Sequence, residues 1–271
     1  MPELPEVETT RAGIEPHIRF KNLVAVTVRN RSLRWPVEVA DLEGLCGRRL
    51  ISVRRRSKYL LFDFEGVERV LLMHLGMSGS MTIADSSRAI QKHDHIDLSF
   101  GSDTILRFND PRRFGCCLLV SQDDRLLANL GPEPLSNDFS GETLFKRSRG
   151  RKQAVKNFIM DAKVVVGVGN IYASESLFKA GIRPSMVAGR VSRKRYSLLA
   201  ESIRSVLTEA IKAGGTTLND FLQVDGKPGY FRHELQVYGR RGEPCFKCAV
   251  PVKSQVIGQR SSFYCPSCQR F

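Results

Sequence analysis

Long apolar runs, acidic residues and tryptophan are scarce in this 271-residue chain. No run approaches the roughly 18 apolar residues that a membrane-spanning helix needs, so no such helix is expected. The opening residues have neither a basic nor an apolar region, which argues against a secretory signal. No internal repeat and no low-complexity stretch is visible. A hydrophobic content of 42% excludes a wholly disordered chain, and the length predicts two domains or three.

Acidic residues are outnumbered, because 28 Asp and Glu face 42 Lys and Arg, which gives a formal net charge of +14. Such an excess favours a polyanionic partner, with nucleic acid first among the candidates, although ribosomal and lipid-surface proteins are also basic. The basic residues cluster in segments 54–58, 146–156, 190–195 and 239–271. A single run is as compatible with a solvated face as with a binding site, but together the runs favour contacts with phosphates.

The seven cysteines are an odd number, and four of them lie near the end of the sequence. Cys245 and Cys248 form one C-x2-C pair, and Cys265 and Cys268 form a second pair after 16 intervening residues. This spacing is typical of a structural zinc site, in which four thiolates surround the metal and leave no open position. Two disulfides are the alternative, but nothing in the sequence suggests export. The other three are expected to be small buried hydrophobic residues: Cys46, Cys116 and Cys117.

Short β-type runs follow an N-terminal helix. The spacing of Leu4, Val7 and Ile14, with Pro5 in the first turn, predicts a helix over 5–14. From residue 22 to residue 120, runs rich in Val, Leu, Ile and Phe alternate with turn residues. The runs that predict strands are 23–28, 59–64, 67–73, 96–100, 104–108 and 116–120. This pattern indicates an antiparallel β domain, either a sandwich or a barrel.

Helical patterns dominate after the breaker cluster at 131–134, which marks a domain boundary. Helices are predicted over 153–160, over 171–180, and from Ser192 to the glycines at 214–215. The glycine-containing segment 164–170 leads into a helix, where backbone amides can approach a phosphate. Tyr172 stands where a dinucleotide motif has its third glycine, so a dinucleotide site is not expected. Residues 216–230 are expected to form a mobile loop.

Two short segments carry side chains suited to DNA. His93 and His95 alternate within a predicted strand, so both rings should share one face, where a polar or phosphate contact is favoured over a metal site. The segment 110–115 predicts a turn that presents Arg112 and Phe114. The Phe114 ring either packs in the core or enters a groove and wedges between bases.

The N-terminus offers a nucleophile. Removal of Met1 leaves Pro2 as a free secondary amine, and an α-amino group has a pKa of roughly 7.7–8.0 against about 10.4 for lysine. Such an amine can attack C1′ of a sugar and form an iminium, a Schiff base, while the neighbouring Glu3 transfers protons. From these residues alone, the start of an ordinary helix is the favoured interpretation.

A series of ordered motifs, however, runs through the whole chain. The motifs are PELPEVET at 2–9, RWP at 34–36, KYL at 58–60, HLGMSG at 74–79, KHDH at 92–95, DPRRFG at 110–115, VGVGNIYA at 166–173, DGKPGYF at 225–231 and the four cysteines. In this combination the sequence resembles the bacterial formamidopyrimidine-DNA glycosylases, also called 8-oxoguanine DNA glycosylases. The resemblance reverses the interpretation of Pro2, which becomes the expected nucleophile.

The resemblance implies a multi-domain α+β protein with an N-terminal antiparallel β-sandwich, a helix–two-turn–helix domain and a C-terminal four-cysteine zinc finger. The implied segments are a catalytic domain at 1–131, a linker at 132–150, a helical domain at 151–238 with a lesion-side loop at 215–230, and a finger at 239–271. It also implies a bifunctional glycosylase and abasic-site lyase that binds one structural zinc. This enzyme would be a cytoplasmic, nucleoid-associated monomer that flips oxidised purines out of duplex DNA, excises them and nicks the strand by β,δ-elimination.

The resemblance further implies roles for single residues. The catalytic residues would be Pro2 as nucleophile, Glu3 as proton donor, Lys58 in β-elimination and phosphate binding, and Arg260 in δ-elimination. The lesion pocket would include Glu6, Thr216 and Asn219. The residues that hold DNA would be His74, His93, Arg112, Arg151 and Asn170. The gap left by the flipped nucleotide would be filled by Met77, Arg112 and Phe114.

Two positions depart from relatives. Arg151 stands where Lys is common, which changes the geometry of a phosphate contact, and Asn219 stands where some relatives carry Lys.

Two other functions remain open. An endonuclease VIII-like glycosylase for oxidised pyrimidines is one alternative, although Leu4-Pro5 favours the purine enzyme. A non-enzymatic zinc-ribbon protein that binds nucleic acid is the other, and it predicts binding without a covalent intermediate.

Overall fold

The computed structural model describes residues 2–101, 103–216 and 235–270. The chain divides into two compact units. The first contains the residues up to Ala128 together with 213–216, and the second contains Asn129–Lys212 and the residues from 235 onward. Within the described ranges, no helix combines the length and the apolar character needed to cross a bilayer.

The first unit begins with helix α1, Leu4–Ile18, which includes the predicted helix and continues beyond it through Pro16. Glu3 caps its N-terminus in an extended conformation, and Pro5 lies in the first turn, where a missing amide proton costs nothing. Its apolar residues Val7, Ile14 and Ile18 belong to the core of the unit.

Among the described residues of this unit, eight strands follow, in two four-stranded antiparallel sheets. They are β1 Ala25–Val28, β2 Leu50–Arg56, β3 Tyr59–Phe64, β4 Val70–His74, β5 Ser80–Ala84, β6 Asp94–Ser99, β7 Ile105–Asn109 and β8 Cys116–Val120. The orders are β1-β6-β7-β5 in one sheet and β2-β3-β4-β8 in the other. Two short helices lie outside the sheets, α2 at Val39–Glu43 and α3 at Arg125–Ala128.

One apolar core joins both sheets and α1, which confirms the predicted sandwich. Phe62 of β3 and Phe108 of β7 are both part of it. Strand β3 is buried on its second face too, where Leu61 packs in a smaller cluster with Leu72. Its sequence is therefore almost continuously apolar, as expected for a strand covered on both sides.

The second unit consists of four α-helices and a β-hairpin among the described residues. They are α4 Gly141–Ser148, α5 Val155–Met160, α6 Asn170–Lys179 and α7 Arg193–Lys212, with β9 Lys253–Ile257 and β10 Arg260–Tyr264. Helix α7 packs against α4 and α6, and α6 packs against β10. The buried face of α7 includes Leu199, Ile203 and Leu207, the spacing that predicted this helix.

Two expectations about the chain differ from the structure. The segment 132–150, expected to be a linker, contains α4, and Gly141 approaches Ser197 of α7 so closely that a side chain would clash. This segment is therefore part of the second unit. Cys46, expected to be buried, is exposed, whereas Cys116 and Cys117 are buried as expected. Cys46 lies in the turn after α2, where its neighbours Leu42 and Leu45 take the inward positions.

Candidate active site and nucleic-acid interface

The start of α1 is a buried polar site. Pro2, Glu3 and Glu6 are all buried, and Glu6 connects two distant segments of the chain. Its Oε2 accepts a hydrogen bond from the backbone N–H of Glu3 at 2.8 Å, and its Oε1 accepts one from the backbone N–H of Thr216 at 2.8 Å. The structure thus brings together Pro2, Glu3, Glu6 and Thr216 from the predicted set, while Asn219 lies outside the described residues.

Gly215 permits this arrangement. Its φ of +83° lies in the left-handed region, and a Cβ at this position would come within 3.1 Å of Glu6 Oε1. Any side chain here would strain the backbone and crowd the carboxylate that positions Glu3.

An ion-pair network fixes α1 to the neighbouring sheet. Glu8 accepts from Arg11 Nε and from Arg55 Nε, each at 2.8 Å. Arg55 also donates through Nη1 to the carbonyl oxygen of Ser57 at 3.1 Å. Because Ser57 and Lys58 form the turn between β2 and β3, this network links the helix that begins beside Pro2 to the turn that carries Lys58.

The basic run 54–58 is therefore partly internal. Arg54 forms a bidentate ion pair with Asp63, with N–O distances of 2.7 Å and 2.6 Å. Burial alone would raise the pKa of Asp63, but hydrogen bonds from Arg54 and Ser52 hold it below its usual value. Arg54 and Arg55 thus form ion pairs with Asp63 and Glu8 within the first unit, and phosphate contacts by the run 54–58 stay a prediction.

His74 lies at the end of β4, next to Lys58. Burial, and then the positive charges of Lys58 and Arg34, lower the pKa of His74 to about 4. The ring is thus neutral near pH 7, and its Nδ1 accepts a hydrogen bond from the backbone N–H of Gly76 at 2.9 Å. In this tautomer Nε2 carries the proton and can donate to a phosphate oxygen.

The two predicted histidines do not lie in one strand. His93 precedes β6 in a turn with a φ of +74°, and only His95 is in the strand. Their rings are nevertheless neighbours, with centroids 6.0 Å apart. His95 is buried, and its Nε2 lies 2.8 Å from the carbonyl oxygen of Asp110. His93 is the more exposed of the two and remains the candidate for DNA contact.

The predicted turn at 110–115 presents its side chains to solvent. Arg112 is exposed, and Phe114 has 45% of its surface exposed, so the alternative in which the ring packs in the core is wrong. The Arg112 guanidinium lies 5.0 Å from the centroid of the Phe114 ring. Asp110, at the base of the turn, is fully buried. Met77 lies on the neighbouring segment 75–79 and is partly buried.

In the second unit, Asn170 is the first residue of α6, and the predicted glycine-containing approach leads directly into it. Its side chain is held in place, since Oδ1 accepts from Lys156 Nζ at 2.6 Å and Nδ2 donates to the carbonyl oxygen of Ser261 at 3.2 Å. Arg260 is exposed at the start of β10, next to the residue that Asn170 contacts. Arg151 is also exposed, in the turn after α4.

Two buried charges of this unit were not predicted as site residues. Lys156 is fully buried and also donates to the hydroxyl of Ser262 at 2.7 Å. Glu175 accepts hydrogen bonds from three successive backbone N–H groups, those of Gln236, Val237 and Tyr238, at 2.8–3.0 Å. Burial raises the pKa of Glu175, and these N–H groups oppose the rise. The signal for Glu175 in the sequence was a single acidic side chain among the small and apolar residues of helix α6.

The four predicted metal ligands converge. The sulfur atoms of Cys245, Cys248, Cys265 and Cys268 all lie within 4.8 Å of one another. The Cys248–Cys265 and Cys245–Cys268 distances are 3.5 Å and 4.0 Å, too long for disulfide bonds. They fit a tetrahedron with Zn–S bonds of about 2.3 Å, whose edges are about 3.8 Å. These residues can therefore hold one structural zinc, and the disulfide alternative is wrong.

Comparison with known proteins identifies the whole arrangement. Residues 1–117 match the family model of the formamidopyrimidine-DNA glycosylase N-terminal domain, and residues 130–221 match that of the formamidopyrimidine-DNA glycosylase H2TH domain. Residues 242–270 match a zinc finger found in FPG and IleRS. The chain belongs to the formamidopyrimidine-DNA glycosylase family.

Full-length relatives and solved structures agree with this assignment. The chain is similar to the formamidopyrimidine-DNA glycosylase of Alcanivorax borkumensis, with 57% identity over 272 residues and all of both chains covered. It is also similar to Lactococcus lactis Fpg in complex with an abasic-site-containing DNA, with 32% identity, a TM-score of 0.91 and coverage of 99% of this chain and 100% of that one. MutM in complex with carbocyclic 8-oxo-G-containing DNA shares 33% identity at a TM-score of 0.90, with both chains fully covered.

Membership of the formamidopyrimidine-DNA glycosylases confirms the predicted fold class, an N-terminal β-sandwich followed by a helix–two-turn–helix domain and a four-cysteine zinc finger. It also confirms that the chain is a DNA glycosylase rather than a zinc-ribbon protein without activity.

Proposed function

We propose that this glycosylase flips 8-oxoguanine and formamidopyrimidines out of duplex DNA, excises them through a Schiff base on Pro2 and nicks the strand at the resulting abasic site. The observation that carries this proposal is the buried cluster at the start of α1. Glu6 holds Glu3 and Thr216 together there, beside Pro2. A base inside a duplex is out of reach, so flipping must precede the chemistry.

Pro2 is the proposed nucleophile. Once Met1 is removed, its nitrogen is a free secondary amine next to the buried Glu3. The nitrogen lone pair forms a bond to C1′ while the bond from C1′ to the base breaks, and the departing base takes up the proton that the amine loses. Opening of the sugar ring, with a proton from Glu3 to O4′, yields the iminium. Glu6 positions this pair and lines the lesion pocket with Thr216.

Strand cleavage follows from the iminium, which acidifies the C2′ proton. β-Elimination removes that proton and breaks the C3′–O3′ bond, and δ-elimination then breaks the C5′–O5′ bond. We propose that Lys58 assists β-elimination. The turn that carries Lys58 is connected to α1 by Arg55, which contacts Glu8 and the carbonyl oxygen of Ser57. We assign δ-elimination to Arg260, which is exposed at the start of β10.

Phosphate contacts hold the duplex. The proposed residues are His74, His93, Arg112, Arg151 and Asn170, and the neutral His74 contributes a donor rather than a charge. Met77, Arg112 and Phe114 are proposed to fill the space left by the flipped nucleotide. We expect the enzyme to act as a monomer on chromosomal DNA, in the cytoplasm and associated with the nucleoid, because that is where its substrate lies.

Borohydride trapping on duplexes with single lesions tests this function. We expect a covalent complex on 8-oxoguanine DNA, with the adduct on the N-terminal peptide. Pro2→Gly should keep a primary amine and some activity, and Lys58→Ala should still be trapped. Glu3→Gln should lose base excision yet cleave pre-formed abasic sites, which need no departing base. An adduct that maps to Lys58, or trapping that persists when Met1 is retained, would contradict the assignment of Pro2.

The same lesion panel decides the remaining alternative. Faster trapping on oxidised pyrimidines than on oxidised purines would indicate an endonuclease VIII-like specificity, whereas the purine enzyme should prefer 8-oxoguanine and formamidopyrimidine duplexes. The position of Asn219, where some relatives carry Lys, makes Asn219→Lys the natural variant for ranking the lesions.

A further inference from the structure

Two loops of the first unit carry the three residues proposed to enter the duplex. The Met77 loop is residues 75–79, and the Arg112 turn is residues 110–115. A hydrogen bond from the backbone N–H of Gly79 to the carbonyl oxygen of Leu75, 2.8 Å long, closes the Met77 loop. Asp110 begins the Arg112 turn and is fully buried, although its side chain faces no cation among the described ion pairs.

The Asp110 carboxylate joins the two loops. Its Oδ1 accepts from the hydroxyl of Ser78 at 2.8 Å, and its Oδ2 accepts from the backbone N–H of Gly115 at 2.8 Å. The backbone N–H of Arg112 lies 3.2 Å from the Ser78 hydroxyl and 3.3 Å from Oδ1. One carboxylate thus closes its own turn at Gly115 and holds the neighbouring loop through Ser78.

Asp110 also fixes the histidine turn beside these loops. Its backbone N–H donates to the carbonyl oxygen of His93 at 3.1 Å, and its own carbonyl oxygen lies 2.8 Å from Nε2 of the buried His95. His93, a candidate for DNA contact, is therefore held by the same residue that holds the Arg112 turn.

Backbone packing gives independent support for a rigid junction. A Cβ on Gly76 would come within 2.5 Å of the Phe114 carbonyl carbon and of the Gly115 nitrogen. A Cβ on Gly115 would come within 2.6 Å of the His74 carbonyl oxygen. The two loops thus touch backbone to backbone, and neither can shift without displacing the other.

We propose that Asp110 is a positioning residue that locks the Met77 loop and the Arg112 turn into one rigid wedge. This inference rests on the proposed role of Met77, Arg112 and Phe114 in base flipping. Asp110 touches no DNA in this scheme. It fixes the side chains that do, so that the cost of ordering them is met on folding and not during flipping.

The decisive variant is Asp110→Asn, which preserves shape. An Asn NH2 group in the place of Oδ2 would face the backbone N–H of Gly115, and one in the place of Oδ1 would face the backbone N–H of Arg112 and turn the Ser78 hydroxyl from donor to acceptor, so either orientation of the amide loses a hydrogen bond. We expect excision of 8-oxoguanine paired with cytosine to slow about tenfold, the size of effect that loss of a hydrogen bond to a charged group commonly produces. Asp85→Asn is the matched control, since Asp85 also accepts backbone N–H groups in a turn but contacts neither loop.

Two readouts separate positioning from general loss of structure. First, Asp110→Asn combined with Phe114→Ala should be no slower than the slower single variant, because both changes disable the same wedge. Second, the defect should shrink when the lesion lies opposite an abasic gap, where no base pair has to be opened. If the two effects multiply in the double variant, or if Asp110→Asn excises at the parent rate while Phe114→Ala is slow, the inference is wrong.

If thermal unfolding shows that Asp110→Asn does not fold, Ser78→Ala tests the same inference. It removes the link between the loops and leaves the bond from Asp110 to Gly115 intact. The same non-additivity with Phe114→Ala is expected, and multiplying effects would again overturn the inference. Failure of the proposed function would look different, because the unmodified enzyme itself would then excise no oxidised purine.

Discussion

Arg112 places its guanidinium over the ring of Phe114, 5.0 Å from the ring centroid, with both side chains exposed on one turn. The charge can contact phosphates while the ring enters the base stack, so the two contributions can be separated by mutation.

Phe114→Ala should slow excision by about 10- to 100-fold, since flipping costs a few kcal/mol that the ring helps to offset. Affinity for undamaged duplex should stay within about twofold, because phosphate contacts come from other residues. Single-turnover excision and fluorescence anisotropy measure the two quantities. Phe20→Ala is the control, since Phe20 is also exposed and lies under the Arg19 guanidinium. Phe20 follows the C-terminus of α1, at the opposite end of this helix from Pro2. An excision rate equal to that of the parent would show that the Phe114 ring has no part in flipping.

Arg112→Ala should weaken both specific and non-specific binding. Loss of one phosphate contact lowers the slope of log K against log salt concentration by about one unit. Titrations at several salt concentrations give this slope directly. An unchanged slope would mean that Arg112 makes no phosphate contact and serves only the ring beside it.

Glu6→Gln should weaken the active site from within. The carboxylate accepts one backbone N–H on each oxygen, from Glu3 and from Thr216, whereas a Gln side chain can accept on only one side. We expect the free energy of unfolding to fall by about 1–3 kcal/mol and the yield of trapped complex to fall with it. Glu43→Gln, at an exposed position of α2, should change neither. Full trapping by Glu6→Gln would show that Glu3 needs no support from Glu6.

Metal analysis should find one zinc per chain. Cys248→Ser should lower zinc content and abolish DNA binding, because the finger carries Arg260 at the start of β10. The β-sandwich should remain folded, since its core contains no residue of the finger. The matched control is Cys46→Ser, which alters an exposed cysteine outside the cluster. Less than half an equivalent of zinc in the unmodified protein would contradict the prediction.

His74 should make stability depend on pH. Its pKa of about 4 in the folded protein lies below the ordinary value of 6.5, so the unfolded chain binds the proton first as pH falls. The neutral His74 ring contributes its full share to the free energy of unfolding above about pH 6.5. This share is lost as the pH falls toward 4, and the loss is about 2 kcal/mol by pH 5. Denaturant unfolding at pH 7 and pH 5 should show this loss in the parent relative to His74→Gln.

The parts of the fold that the sequence predicts are those with a local signal. β3 and β8 have the predicted bounds because their apolar runs are buried and bounded by turns. β2 was not predicted, because Arg54, Arg55 and Arg56 hide the alternation that leaves Val53 buried and Arg54 exposed. His93 was placed in a strand because nothing local shows that a histidine will adopt a φ of +74°.

In the site, too, contacts between residues close in the sequence are predictable, whereas contacts between distant residues are not. The capping relation between Glu3 and Glu6 spans three residues and follows from the sequence, as does the convergence of the cysteines. The contact between Glu6 and Thr216 spans 210 residues, and the one between Ser78 and Asp110 spans 32. Such contacts depend on how elements pack, which hydrophobic periodicity does not encode.

Lys156 makes the zinc finger inseparable from the helices. Its ammonium is fully buried and donates to Asn170 of α6 and to the backbone oxygen of Ser261 and the hydroxyl of Ser262 on β10. Gly258 at the tip of the hairpin leaves no room for a side chain next to Asn157 of α5. A chimera that exchanges this finger for another must therefore bring its own oxygens to the same places, or the buried ammonium loses the two acceptors that β10 supplies. The finger therefore cannot be exchanged as an independent module, although all four ligands of its metal site lie within it.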